Sequence, residues 1–341
     1  MTPMPTRQTR HALGFLVLAL GPVVLGEGAA ACVDRRAAVE SAPRTPPDVT
    51  NRNATCEGCH AEIASEWRAS LHRASYSDPM YQRAFAREPL AFCTGCHAPE
   101  ANAEDPGPSP THALGVGCVT CHALSSEHPR LATATATATA TDDTCARCHE
   151  FQFPGTRELM QLTVTEHRAS PAASSSCASC HMPKVEAVEP GGRRHASHRF
   201  GASRDVAMIR SAARITVARE GSKLRFSFAP DRTGHAFPTG DIFRRLRLVA
   251  DLEGIGGPRH VQSFLGRKTK RADVLAGGEV NVADDRPFVR GAPAVAELEV
   301  GIPSGRVTWR VLYERVEHPS SLDERDAVIE GAIEVASGTL D

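Results

Sequence analysis

Between Cys56 and His181 the chain repeats Cys-x-x-Cys-His five times: Cys56–Cys59–His60, Cys93–Cys96–His97, Cys118–Cys121–His122, Cys145–Cys148–His149 and Cys177–Cys180–His181. Two thiols three residues apart lie on one side of a helical turn, where both can bond the vinyl groups of one porphyrin. The imidazole that follows then falls beneath the iron as its proximal ligand. Zinc ribbons and disulfides also use Cys-x-x-Cys. Ribbons need the unit in pairs, however, and zinc does not require a His after every second Cys. The motif therefore predicts five covalently attached haem c groups.

What such irons do depends on their second axial position. Nine histidines lie outside the pentads and beyond the N-terminal segment: His72, His112, His128, His167, His195, His198, His235, His260 and His318. That is enough to cap every iron. If Ala61–His72 is helical, His72 stands twelve residues beyond His60, roughly 18 Å away at about 1.5 Å per residue. Two axial ligands of one iron are only about 4 Å apart, so His72, as a ligand, serves a different haem from His60. His235 occupies Gly234-His235-Ala236-Phe237-Pro238-Thr239-Gly240. Such Gly/Pro framing either presents the imidazole at a loop apex or makes a plain hairpin turn.

The elements that must carry these groups fall into two kinds. From 54 to 208 the chain has little conventional core: its apolar residues are mostly Ala, and Pro/Ser/Gly-rich loops separate the pentads. Porphyrins must supply most of the buried surface there, among short helices at and after each pentad. Ile63, Trp67 and Leu71 give the clearest helical face, over Ala61–His72. The alternating tract Ala132–Thr141 reads as a solvated loop, since neither face has a large side chain to bury. From about Ile209 the period changes to two. Leu224, Phe226 and Phe228 alternate with polar residues, as do Leu246 and Leu248, and Ala296, Leu298, Val300 and Ile302. Val307, Trp309, Val311 and Tyr313 follow the same pattern, then Ile329, Ile333 and Val335. Strands separated by Gly/Pro turns predict an antiparallel sandwich over 209–341. The fold class expected is α+β with two domains, an irregular short-helix multihaem part and then an all-β part.

The 341 residues carry a formal charge of −1, with no basic stripe and 5% aromatics, which argues against nucleic acid as a partner. Residues 1–31 read as an export signal: basic Arg7, Arg10 and His11, an apolar run Ala12–Leu25, and the small residues Ala29–Ala31. Ten of the eleven cysteines belong to pentads, and the other is Cys32. Its place directly after the small residues suggests lipidation there and attachment to a membrane. The polar stretch 32–53 reads as a flexible tether. The expected location is periplasmic, or a membrane-anchored lipoprotein facing the periplasm or cell surface.

The string from Cys56 to Ala74, with Trp67, Ser70 and His72 at fixed offsets, resembles multihaem c-type cytochromes related to the tetrahaem carrier of hydroxylamine oxidation. Gly115-Val116 before Cys118, Met182-Pro183 after His181, and His198-Arg199-Phe200 are similar to the same group. The loop Gly234–Gly240 resembles one in members with an appended β domain. The resemblance implies stacked haems passing electrons, with His72, His198 and His235 as distal ligands. The family pattern has an aromatic where His167 stands; His112, His128 and His167 are further candidates for the distal position.

Two functions fit. The preferred one is an electron carrier with every iron closed by two histidines, exchanging electrons with redox proteins or quinol-linked donors. The alternative is a reductase or other oxidoreductase of nitrite, hydroxylamine or a similar small nitrogen compound, which needs one open iron. No catalytic residue is assigned from the sequence.

Overall fold

Helices come in short pieces wherever the pentads lie, and long strands begin where the period turns to two. The computed structural model describes residues 46–102, 108–122, 141–152, 154, 159–187, 194–253, 257–270, 281–288, 291–317, 325 and 327–341. The export signal, Cys32, the tether up to residue 45, His128, the Ala/Thr tract up to residue 140 and His318 lie outside the described residues.

The helices of the first region are α1 (Pro46–Cys59), α2 (Ala61–Arg68), α3 (Leu71–Ala74), α4 (Pro79–Arg87), α5 (Ala91–His97), α6 (Pro110–Ala113), α7 (Cys118–Cys121), α8 (Asp142–His149), α9 (Thr163–Arg168) and α10 (Cys177–His181). Two small hairpins, which the sequence did not suggest, interrupt them: β1 (Glu150–Gln152) with β2 (Leu159–Leu162), and β3 (Lys184–Val185) with β4 (His195–Ala196). The expected helix Ala61–His72 is broken at Ala69-Ser70. There the Ser70 hydroxyl accepts from the Arg73 N–H and starts α3 anew. The tether reading also stops short, because residues 46–53 already belong to α1, with Val49 and Asn53 fully buried.

Helix α11 (Val206–Ser211) places Ile209 in a helix rather than a strand. The β region then runs β5 (Ala213–Glu220), β6 (Lys223–Pro230), β7 (Arg244–Leu252), β8 (Arg259–Lys270), β9 (Asn281–Asp284), β10 (Ala294–Glu299), β11 (Val307–Val316) and β12 (Ile329–Leu340). One antiparallel sheet has the order β10-β6-β5 and the other β12-β11-β7-β8-β9. Their inner faces meet in one core: Leu224, Phe226, Phe228 and Leu298 from the first sheet, with Leu246, Leu248, Trp309 and Val311 from the second. Each such large apolar side chain contributes roughly 1.5–3 kcal/mol relative to exposure. The architecture is thus a helical region followed by an antiparallel all-β region, both within one compact unit. No helix among the described residues is long and apolar enough to cross a membrane.

Candidate functional site

All five Cys-x-x-Cys pairs lie within helices, α1, α5, α7, α8 and α10, so each presents two thiols on one side of a turn. None of these ten cysteines is in a disulfide. Thiols of different pentads meet nonetheless: Cys56 contacts Cys118, Cys96 contacts Cys148, and Cys145 contacts Cys177. Cys121 lies within electrostatic reach of Cys145 and Cys148. In space the pentads therefore adjoin as first to third, third to fourth, second to fourth and fourth to fifth. Asn53 helps to set this order. Its side-chain oxygen accepts from the Cys118 N–H at 2.8 Å, tying α1 to the third pentad.

Three pentad imidazoles each face a second imidazole from a distant part of the chain. His149 faces His72, His122 faces His198 and His181 faces His235, and in every case the ring centres are 6.2 Å apart. With metal–imidazole bonds of about 2 Å, and each ring centre about 1 Å further out, two axial imidazoles on one iron stand roughly 6 Å apart. The spacing fits an iron between each pair. In three of these six rings the tautomer is set for it as well: Nδ1 lies 3.0 Å from the Gly201 carbonyl in His181, 2.8 Å from the Ala196 carbonyl in His198 and 2.9 Å from the Ala236 carbonyl in His235. A ring donating Nδ1–H keeps its Nε2 lone pair for a metal. Packed surroundings push His72 and His235 down to about 4, so both are neutral near pH 7, the form that ligates.

Each of the three outer histidines is held by a different device. For His72 it is the Trp67–Val116 clasp: the Trp67 indole N–H donates to the Val116 carbonyl at 2.8 Å, and the Val116 N–H to the His72 carbonyl at 2.9 Å. Gly115, at φ 60°, lies so close beneath that a Cβ would stand 2.5 Å from the His72 carbonyl. A side chain is excluded there both by conformation and by space. His198 follows the β3–β4 hairpin, and Glu66 on α2 accepts from its backbone N–H at 2.7 Å while lying 3.4 Å from the His195 ring. His235 sits in the loop between β6 and β7. Arg286 anchors that loop: it is ion-paired to Glu166 at 2.7 Å, both side chains almost fully buried, and donates to the Pro238 carbonyl. Thr239 donates to Glu166 at 2.5 Å, completing a polar link between the two regions.

The other candidates are placed differently. His97 donates from Nδ1 toward the Ser75 carbonyl at 2.7 Å, but its ring neighbour is Tyr81, stacked at 3.8 Å and 14°. That is a face contact with the imidazole and is too close for a position across an iron. Tyr81 is placed there by Asp78, which caps the start of α4. Among the described residues no imidazole stands at the 6.2 Å spacing from His97 or His60. His112 is buried on α6, which packs on α1, with Nδ1 2.8 Å from the Ser109 hydroxyl. His167 has both ring nitrogens on backbone carbonyls, Gly234 at 2.8 Å and Ser175 at 2.9 Å. His260, at the exposed start of β8, pairs with Asp251 of β7. Glu66, Glu166 and Arg286 escaped the sequence reading, since a charged residue in a polar stretch carries no local mark of a buried partner.

The comparisons with known proteins are to c-type cytochromes. Residues 55–123 match the family described as cytochrome c554 and c-prime. Over 99 residues, 29% of this chain, the sequence is 28% identical to the cytochrome c-type protein NrfB of Escherichia coli O6:H1. The chain spans about half the length of that curated relative, 50% of it. In fold it is similar to the penta-heme cytochrome c552 from Thermochromatium tepidum. That likeness has a TM-score of 0.59 at 19% identity and covers 84% of this chain and 98% of that one.

Proposed function

We propose that this chain is an exported five-haem cytochrome in which histidine-closed irons conduct electrons to one open iron, where a small nitrogen compound such as nitrite or hydroxylamine reacts. Haem iron supplies the one-electron chemistry and, where a coordination position is open, the binding of the small molecule. The protein supplies attachment, closure and order. His72, His198 and His235 close the irons held by His149, His122 and His181, and His112 is the residue available to close that of His60. Adjacent thiols from the first to the fifth pentad support a continuous path, with the fourth at its branch point.

The single observation that favours an open iron over a wholly closed carrier is at His97. Its ring contact is Tyr81, stacked on the imidazole face at 3.8 Å, whereas three other pentads have an imidazole at the 6.2 Å axial spacing. Electron spin resonance of the oxidised protein, with carbon monoxide titration of the reduced protein, tests this reading. One high-spin iron that binds carbon monoxide, together with turnover of hydroxylamine or nitrite by the reduced protein, is expected. Five low-spin irons that ignore the gas would return the protein to the carrier class, exchanging electrons only with redox proteins or quinol-linked donors.

A further inference from the structure

His167 has no free nitrogen for a metal, yet it touches both halves of one candidate iron site. Its Nδ1 reaches the carbonyl of Gly234, the residue before His235. Its Nε2 reaches the carbonyl of Ser175, two residues before Cys177 at the start of the fifth pentad. Ser170, just beyond α9, adds a second donor to the Gly234 carbonyl at 2.8 Å. The fit is close: a Cβ on Gly234 would stand 2.9 Å from the Ala172 Cβ and 3.3 Å from His167 Nδ1. The adjoining Glu166 fixes the far end of the same loop through Thr239 and through Arg286, which holds Pro238. The His235 loop is thus held at both ends by neighbouring residues of one short helix.

We propose that His167 is a positioning residue for the iron site of the fifth pentad, bridging the segment that carries distal His235 to the segment that carries the covalent attachment. The inference rests on the reading that His181 and His235 form an axial pair. The physical reason is that His181 ends helix α10 whereas His235 lies in the loop between β6 and β7, 54 positions further along the chain. A rigid ring packed between the Gly234 and Ser175 carbonyls, donating its N–H to one or the other according to its tautomer, fixes their separation without using either ligand's own nitrogens. Residues that orient metal ligands in this way typically change metal affinity or activity by about 10–100-fold when removed.

The test uses the holoprotein and its spectra. His235→Ala is made first; an added carbon monoxide-binding, high-spin iron beyond the wild-type level is expected if the axial-pair reading holds. No added signal would sink that reading itself. His167→Ala is then expected to raise the gas-accessible fraction of the same iron roughly tenfold or more, on the usual scale for such residues, with all five haems still covalently attached. His167→Gln, which offers two amide N–H groups, should restore most of the low-spin signal. Ser170→Ala removes one of two donors and should move the signal the same way by less. A His235→Ala protein with an opened iron, beside His167→Ala and Ser170→Ala proteins indistinguishable from wild type, would overturn the assignment. Should His167→Ala not accumulate, Ser170→Ala decides alone, and an unchanged spectrum there overturns it.

Discussion

The two regions of this chain bury different things. Among the described residues before Val206, the apolar side chains buried against other protein atoms are Val49, Ala64, Trp67, Ala98 and Val119. The β region has a continuous core running through both sheets, with Phe226, Leu246, Leu248 and Val311 fully buried. The first region spends its side chains on holding imidazoles and thiols in place; the second spends them on itself. Two valines, two alanines and one tryptophan do not offset the conformational entropy of so long a segment. The helical region must draw its stability from what its cysteines hold, and from the sandwich against which it is fastened.

The sharpest way to break the comparison is to deny the chain its covalent groups. Expressed without haem attachment, helices α1 to α10 should exchange their amides within the shortest labelling time, while strands β6, β7 and β11 stay protected. Hydrogen exchange read by mass spectrometry checks this, and equal protection in both regions would show that the first has a protein core of its own. Next in size is the fastening between the regions. Arg286→Ala leaves Glu166 buried without its partner, and burial already pushes that carboxyl up. Loss of about 3–5 kcal/mol is expected in denaturant unfolding of the holoprotein, because an unpaired buried charge is costly. A loss below about 1 kcal/mol would place that pair among ordinary surface contacts.

The smallest effect sharpens the other side of the comparison. Asp251 on β7 is held below its ordinary value by the hydrogen bond from His260, with Arg310 also contributing, but the group is largely exposed. A lowered folded value means that its stabilisation is present above the unfolded carboxylate range near about 4 and is lost as the pH falls through the folded value. Solvent screening keeps the amount within about 1 kcal/mol, so Asp251→Asn should flatten the acid limb of the stability curve only slightly. A drop comparable to that of Arg286→Ala would mean that this face of the sheet is covered.

What the sequence determined alone is whatever is local. A pentad needs five consecutive residues and one helical turn, so all five were legible, as was the change of period that separates helices from strands. The alternation in Val307–Tyr313 placed β11 because a half-buried strand writes its burial into every second residue. The distance bound on His72 assumed one continuous helix, which the break at Ala69-Ser70 removes; that His72 faces His149 is read from the tertiary structure. Only the tertiary structure decided which imidazole faces which pentad. His235 lies 54 positions from His181, and His72 lies 77 from His149. Such pairs meet through the Trp67–Val116 clasp, the Glu66 contact to the His198 backbone and the buried Glu166–Arg286 pair. Each of these is a single hydrogen bond or ion pair between segments remote in sequence, and a contact of that kind leaves no period and no motif behind it.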